Sequence, residues 1–346
     1  MGRESVKFHF WGPMKLLKIL SLSFLATGVV KAEPPHQEET RSTKNATPLS
    51  VTPQQQSSNK QSEVKSHVGS EKQLLVSAPE VSEQVGGGQL FNSCVQQLKE
   101  LPGKRSLDNI RSLCQDVEHL NGCYSVKNEP LFHGDYITSR KNAKKILVLA
   151  VIHGDESMGG TVAKRWMTRL GNINSRSSWR IVPVLNPDGM RLKTRMNQNR
   201  VDINRNFPTS DWDTHALKYW KEKKKSDVRR YPGPSAASEP ETRCVVKHIN
   251  DFKPDFIIAI HTPYGVLDFD GPRVSFPKFR EYPWVSLGTF PGSLGRYMWK
   301  DRKIPVLTVE LKDDSFLKKI DRMDTLQDTA GTVALRASQK LQNSRN

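Results

Sequence analysis

Apolar residues recur along this chain at two periods. Leu90, Phe91, Cys94, Leu98 and Leu101 have helical spacing, and Met158, Val162, Trp166 and Leu170 repeat at four-residue intervals. Both segments therefore predict amphipathic helices. Between them, residues 146–152 form an unbroken apolar run, the pattern of a strand covered on both faces. Runs at 180–185, 256–260 and 304–311 predict further strands. Ser238, with Glu241 three residues on, predicts a capping box that opens a helix through Ile249. A last helix is predicted from about Met323 to Leu341. Strands alternating with helices predict an α/β fold whose sheet is covered on both faces.

The first quarter of the chain breaks this pattern. Lys15-Leu-Leu-Lys18, the apolar stretch 19–30 and a small residue before Glu33 predict a secretory signal peptide over 1–32, with Met14 as an alternative start. The stretch falls short of the ~20 apolar residues a bilayer span needs; an uncleaved anchor is the competing reading. No membrane span is expected after cleavage. Residues 33–88 are polar and without lasting periodicity, which predicts a disordered linker, although Asn45-Ala-Thr47 matches a glycosylation sequon. The expected folded domain is 89–346.

Charge narrows the partners. With 53 Lys and Arg against 36 Asp and Glu, the formal charge is +17, which favours anionic partners such as nucleic acid, a membrane surface or an acidic wall polymer. No nucleic-acid-binding motif accompanies the charge, so nucleic acid is not expected. Export permits disulfides among the four cysteines. Cys114 and Cys123 flank a turn-like segment and are the first pairing expected, with Cys94 and Cys244 remaining.

The predicted strands end in polar residues: His153-Gly-Asp-Glu156, Asn186-Pro-Asp-Gly189, His261 and Glu310. Ligands in open α/β sheets collect at the carboxyl ends of strands. His153 and Glu156 are spaced so that a strand-to-helix turn can aim both at one point, and imidazole plus carboxylate suits Zn²⁺. A capped, solvated strand-end histidine explains either histidine taken alone.

Asn204-Arg205-Asn206-Phe207 after Asn186-Pro-Asp-Gly189 resembles the M14 family of zinc carboxypeptidases. So do Ser238-Glu-Pro-Glu241-Thr, His261 after a strand and Thr308-Val-Glu310-Leu, in family order across about 125–340. The resemblance implies a mixed, mainly parallel twisted sheet with helices on both faces. It also implies one zinc ion held by His153, Glu156 and His261. Glu310 would then be the general base, Arg195 the polariser of the scissile carbonyl, and Asn204 and Arg205 the clamp on a terminal carboxylate.

Two departures bear on substrate. Digestive members carry Arg where this chain has Asp155, and the His-Gly-Asp-Glu form is similar to the bacterial murein peptide amidases, as is Pro291-Gly-Ser-Leu-Gly295. Arg200 replaces a glycine found in many bacterial members. The resemblance implies a periplasmic or secreted enzyme that cuts the γ-D-glutamyl–diaminopimelate bond of peptidoglycan stem peptides. A general peptide carboxypeptidase and a catalytically silent wall-binding protein remain as alternatives. Asp268 or Asp270 is expected to meet the distal ammonium of diaminopimelate, unless Asp270-Gly271-Pro272 merely forms a turn. Tyr264, Tyr282 and Tyr297 all remain candidates for a substrate-capping tyrosine. The basic run 221–230 is expected to be a solvated face or an anchor to an anionic wall.

Overall fold

The structure, a computed structural model, describes residues 86–104 and 106–344. The expected signal peptide, residues 33–85 of the expected linker and the Asn45 sequon lie outside the described residues. The strands are β1 (Glu118–Tyr124), β2 (Pro130–Tyr136), β3 (Lys145–Ala150), β4 (Ser178–Val182), β5 (Phe256–His261), β6 (Val266–Asp270), β7 (Trp284–Val285) and β8 (Val306–Glu310). The α-helices are α1 (Gly87–Glu100), α2 (Leu107–Gln115), α3 (Met158–Leu170), α4 (Pro187–Leu192), α5 (Leu217–Lys223), α6 (Pro240–Phe252) and α7 (Ile320–Asn343). No helix among the described residues is long and apolar enough to cross a membrane.

One mixed sheet runs in the order β1-β2-β4-β3-β5-β8-β6-β7. Its centre, β4-β3-β5-β8, is parallel; β1 joins β2, β2 joins β4 and β6 joins β8 antiparallel, and β7 runs parallel to β6. The two-residue alternation of a strand divides the interior. Ile146, Val148 and Ala150 of β3 face a core shared with α1, α2, α3 and α7. Leu147 and Leu149 face a second core filled from α6 by Val245, Ile249 and Phe252. Full burial of Trp166, Phe132 and Phe256 stabilises this sandwich by about 1.5–3 kcal/mol for each large side chain.

Three local expectations are corrected. Helix α6 begins at Pro240, and its N-cap is Glu239 without a side-chain cap. The Ser238 hydroxyl accepts from the Asn206 amide and donates to Glu239 instead of closing a capping box. The cysteines pair as Cys94–Cys114 and Cys123–Cys244, because α1 packs on α2, setting Cys94 beside Cys114, and β1 packs on α6, setting Cys123 beside Cys244. Strands β1 and β2 did not stand out in the sequence. Glu-His-Leu-Asn-Gly-Cys-Tyr has the mixed pattern of an edge strand, and its burial is partial.

Candidate active site

Strands β5 and β8 pair with His261 opposite Glu310. The loop after β3 brings His153 and Glu156 to the same sheet edge. His153 Nδ1 lies 2.8 Å from Glu156 Oε1, His261 Nδ1 lies 2.7 Å from Glu156 Oε2, and the two Nδ1 atoms lie 3.1 Å apart. Gly154 does not make a left-handed turn here, contrary to the usual reason for glycine in a loop. It is needed because a Cβ would overlap the backbone of Gly189. The Asn186-Pro-Asp-Gly189 segment is thus the floor under the metal-facing loop. Asn186 caps α4 through the Gly189 amide, and Asp188 accepts from the Lys127 amide. This segment braces the site and does not line it.

His153 Nε2 is 3.1 Å from Asp202 Oδ1. A carboxylate only accepts, so Nε2 carries the proton and Nδ1 turns its lone pair to the point it shares with the ligand atoms of Glu156 and His261. Burial alone would raise the Asp202 carboxyl. Arg195 and His153 outweigh it and hold Asp202 well below the usual carboxylate range. Glu156 is held down in the same way by His153 and His261, against its burial. Two imidazole nitrogens and an ionised carboxylate, their ligand atoms all within 4.8 Å of one another, form a donor set suited to zinc.

Glu310 lies next to this group. Its Oε2 is buried without a hydrogen-bond partner among the described residues. Burial raises its affinity for a proton, Glu156 adds to this, and His261 opposes it. A buried carboxylate with an idle oxygen beside the donor set is fit to accept a proton from water.

Arg195 donates from Nε to Asp202 Oδ2 at 2.9 Å, and its Nη1 lies 3.2 Å from His153 Nδ1. Asn204 and Arg205 follow Asp202 in a 3-10 turn. The Asn204 Oδ1 accepts from the Leu294 amide. The Arg205 guanidinium lies 4.7 Å over the Phe290 ring, and its buried Nε has no acceptor. Beneath them, Asn197 donates to Glu239 and Glu241, so the acidic residues of Ser238-Glu-Pro-Glu241 hold this loop rather than solvent.

His153, Glu156, Arg195, Asn204, Arg205, His261 and Glu310 open into one cleft of about 660 Å³. Asp268 and Asp270 line it as well. Asp268 is buried and accepts from the Leu287 amide. Burial, with Asp268 beside it, pushes the Asp270 carboxyl up to about 7. Gly295 leaves room for that carboxyl, which a Cβ would overlap. Of the three tyrosines, Tyr264 lines the cleft and is 63% exposed. Tyr282 and Tyr297 are packed in the core against Phe316 and Phe207 and are removed as capping candidates.

The basic run 221–230 is largely exposed, as a solvated face would be, and its flanking aromatics are packed. Trp220 packs on Tyr231, Tyr219 packs on Phe290, and Arg229 and Arg230 line the cleft. Sequence reasoning passed over Asp202 and Arg229. Asp202 carried a signal, since it sits inside Val-Asp-Ile-Asn-Arg two residues before Asn204. Arg229 carried none.

Comparison with known proteins agrees with this geometry. Residues 123–269 match the family model for the peptidase M14 zinc carboxypeptidases. The chain is 30% identical over 198 residues to Murein peptide amidase A of Vibrio campbellii, covering 54% of this chain and 76% of the relative. It is 32% identical over 173 residues to Murein peptide amidase A of Escherichia coli K12, covering 47% and 69%. The crystal structure of carboxypeptidase A from Helicoverpa armigera superposes with a TM-score of 0.51 at 16% identity, covering 73% of this chain and 80% of that one, and shares the fold. The chain belongs to the M14 family of zinc carboxypeptidases and is a hydrolase related to the murein peptide amidases.

Proposed function

We propose that this protein is an exported enzyme that hydrolyses the γ-D-glutamyl–diaminopimelate amide of peptidoglycan stem peptides. The observation that carries the reading is a cleft lined by both signs of charge: Asn204 and Arg205 suit a carboxylate, and Asp268 and Asp270 in the same cleft suit an ammonium. An apolar C-terminal residue would leave the half-buried Asp270 without a cation to meet it, which is costly. A residue whose side chain ends in an amino acid group would supply that cation.

His153, Glu156 and His261 are assigned to hold one zinc ion. Bound there, the ion supplies Lewis-acid polarisation of the carbonyl and lowers the pKa of water to about 7. Glu310 takes the proton of the attacking water and returns it to the leaving amine, and its burial suits both steps. Arg195, anchored by Asp202, keeps Nη1 towards the developing oxyanion. Arg205 binds the terminal carboxylate through its planar fork. Asp270 is drawn from its raised value towards ionisation when an ammonium enters. Periplasmic location follows from the amino-terminal pattern at 1–32 and from the substrate.

The test offers purified protein L-Ala-γ-D-Glu-diaminopimelate beside an α-linked peptide with an apolar C-terminus. Products are read by mass spectrometry with and without chelator and with Glu310→Gln. Release of diaminopimelate, lost with chelator and with Glu310→Gln, is the expected result. Release of only the apolar residue would overturn the assignment. Asp270→Ala is expected to lower the preference for diaminopimelate over an apolar residue at the same position.

A further inference from the structure

Asp155 stands between His153 and Glu156, and its side chain reaches out of the metal-facing loop to a residue 74 positions away. Arg229 Nη2 donates to Asp155 Oδ2 at 2.8 Å. Both residues line the same cleft as His153, Glu156 and His261. As a stabilising contact the pair is weak, because the Arg229 side chain is 57% exposed and the Asp155 side chain 26%; exposed pairs contribute little to folding.

The segment behind Arg229 is nonetheless built with care. The Asp227 side chain caps the turn at the Arg229 amide, and the Trp220 indole donates to the Asp227 carbonyl. Trp220 then packs on Tyr231, and Lys224 lies over Tyr219 and Phe290. The outcome is a guanidinium held by one nitrogen at the wall of the cleft. Its Nε and Nη1 have no acceptor among the described residues.

We propose that Arg229, positioned by Asp155, is a specificity residue that binds the free α-carboxylate of a γ-linked glutamyl residue on the amino side of the scissile bond. This rests on the peptidoglycan reading above. In a γ-linked glutamate the side-chain carboxyl forms the scissile amide, so the α-carboxylate hangs free a few bonds from the reacting carbonyl. An ordinary α-linked peptide has no anion at that place. Asn204 and Arg205 are the residues assigned above to the terminal carboxylate, whereas Asp155 sits between His153 and Glu156 on the loop from β3, so Arg229 is free to take a second anion. A fork-shaped cation there reads the linkage itself, since guanidinium and carboxylate pair through two parallel hydrogen bonds.

The experiment compares L-Ala-γ-D-Glu-diaminopimelate with the same tripeptide whose glutamyl α-carboxylate is amidated. The wild-type holoenzyme is expected to favour the free acid by roughly tenfold or more in kcat/KM. In Arg229→Ala that ratio falls towards one, and Arg229→Lys retains part of it. In Asp155→Asn the ratio falls through KM more than through kcat, and adding Arg229→Ala lowers it no further. Calorimetric binding of the free-acid tripeptide to Glu310→Gln, with and without Arg229→Ala, gives a readout independent of turnover. Roughly tenfold weaker binding is expected there. An equal ratio in wild type and Arg229→Ala, with both tripeptides cleaved, overturns this assignment and leaves the peptidoglycan reading intact. Cleavage of neither tripeptide, with turnover of an α-linked peptide, overturns both.

Discussion

Gly292 stands against the carbonyl of Arg205 so closely that a Cβ on Gly292 would overlap that oxygen. Its φ of 76° is also one that side chains rarely adopt. The contact lets the Phe207 amide donate to Gly292 O at 3.0 Å and the Leu294 amide to Asn204 Oδ1 at 2.9 Å. Pro291-Gly-Ser-Leu-Gly295 is therefore a strap over the Asn204-Arg205 turn. Gly292→Ala is expected to cost about 1–3 kcal/mol and to raise KM more than it lowers kcat. Thermal melting and steady-state kinetics check it; an unchanged melting temperature and KM would contradict the strap.

Glu310→Gln removes the proton acceptor while preserving shape. The expected loss in kcat is roughly 10²–10⁴-fold, with zinc still present at one ion per chain by elemental analysis. A variant that kept its rate would move the base elsewhere.

Asp202 fixes the proton on His153 Nε2 and anchors Arg195. Asp202→Asn is expected to weaken zinc by about 10–100-fold, measured by competition with a chelator. Removing the ion from the wild type should abolish hydrolysis. It should also lower the melting temperature, since a ligand at a hundred times its Kd stabilises by about 2.7 kcal/mol.

His133 and His248 are fully buried, with ring centroids 4.9 Å apart, and none of their ring nitrogens has a hydrogen-bond partner among the described residues. Burial pulls His133 down from 6.5 to about 4, with Arg180 adding and Asp135 opposing. The unfolded chain therefore binds the extra proton first as pH falls. The contribution of His133 is complete above pH 6.5 and is lost between 6.5 and about 4, by roughly 3 kcal/mol. Glu241, raised to about 7 by burial, acts in the opposite direction, so the comparison must be differential. The denaturant midpoint of wild type is expected to fall relative to that of His133→Leu between about pH 7.5 and about 4.5; an unchanged difference would contradict the reading.

The Cys123–Cys244 bridge closes a sequence separation of 121 residues and ties β1 to α6. Replacing both cysteines by serine is expected to cost about 2–5 kcal/mol, read from urea unfolding under non-reducing conditions. A smaller effect than that from removing Cys94–Cys114, which spans 20 residues, would argue against loop closure as the source.

The elements with strong periodicity were legible. Helix α3 occupies Met158–Leu170 as its spacing predicts, and β3, β5 and β8 lie where the apolar runs are. Those segments are buried on defined faces, so each records its environment in its own residue pattern. Edge strand β1 was missed because a half-exposed strand carries little such record, and β2, though buried between β1 and β4, mixes His133, Gly134 and Asp135 into its apolar run. The convergence of His153, Glu156 and His261 was anticipated from motif order. That Asn186-Pro-Asp-Gly189 would support the cleft rather than line it was not. Its residues are polar in either role, and only the close approach of Gly154 to Gly189 distinguishes them.

By itself, the sequence determined the alternation of strand and helix, the metal-binding chemistry of the strand ends and the family. These depend on neighbours a few positions apart and on the types of residue at strand ends. Tertiary structure decided what pairs across the chain. It joined Cys94 to Cys114 and Cys123 to Cys244, set Asp202 behind His153, and brought Arg229 to Asp155. Such partners are chosen by how the sheet and its helices pack, and periodicity carries no information about which distant side chain that packing delivers.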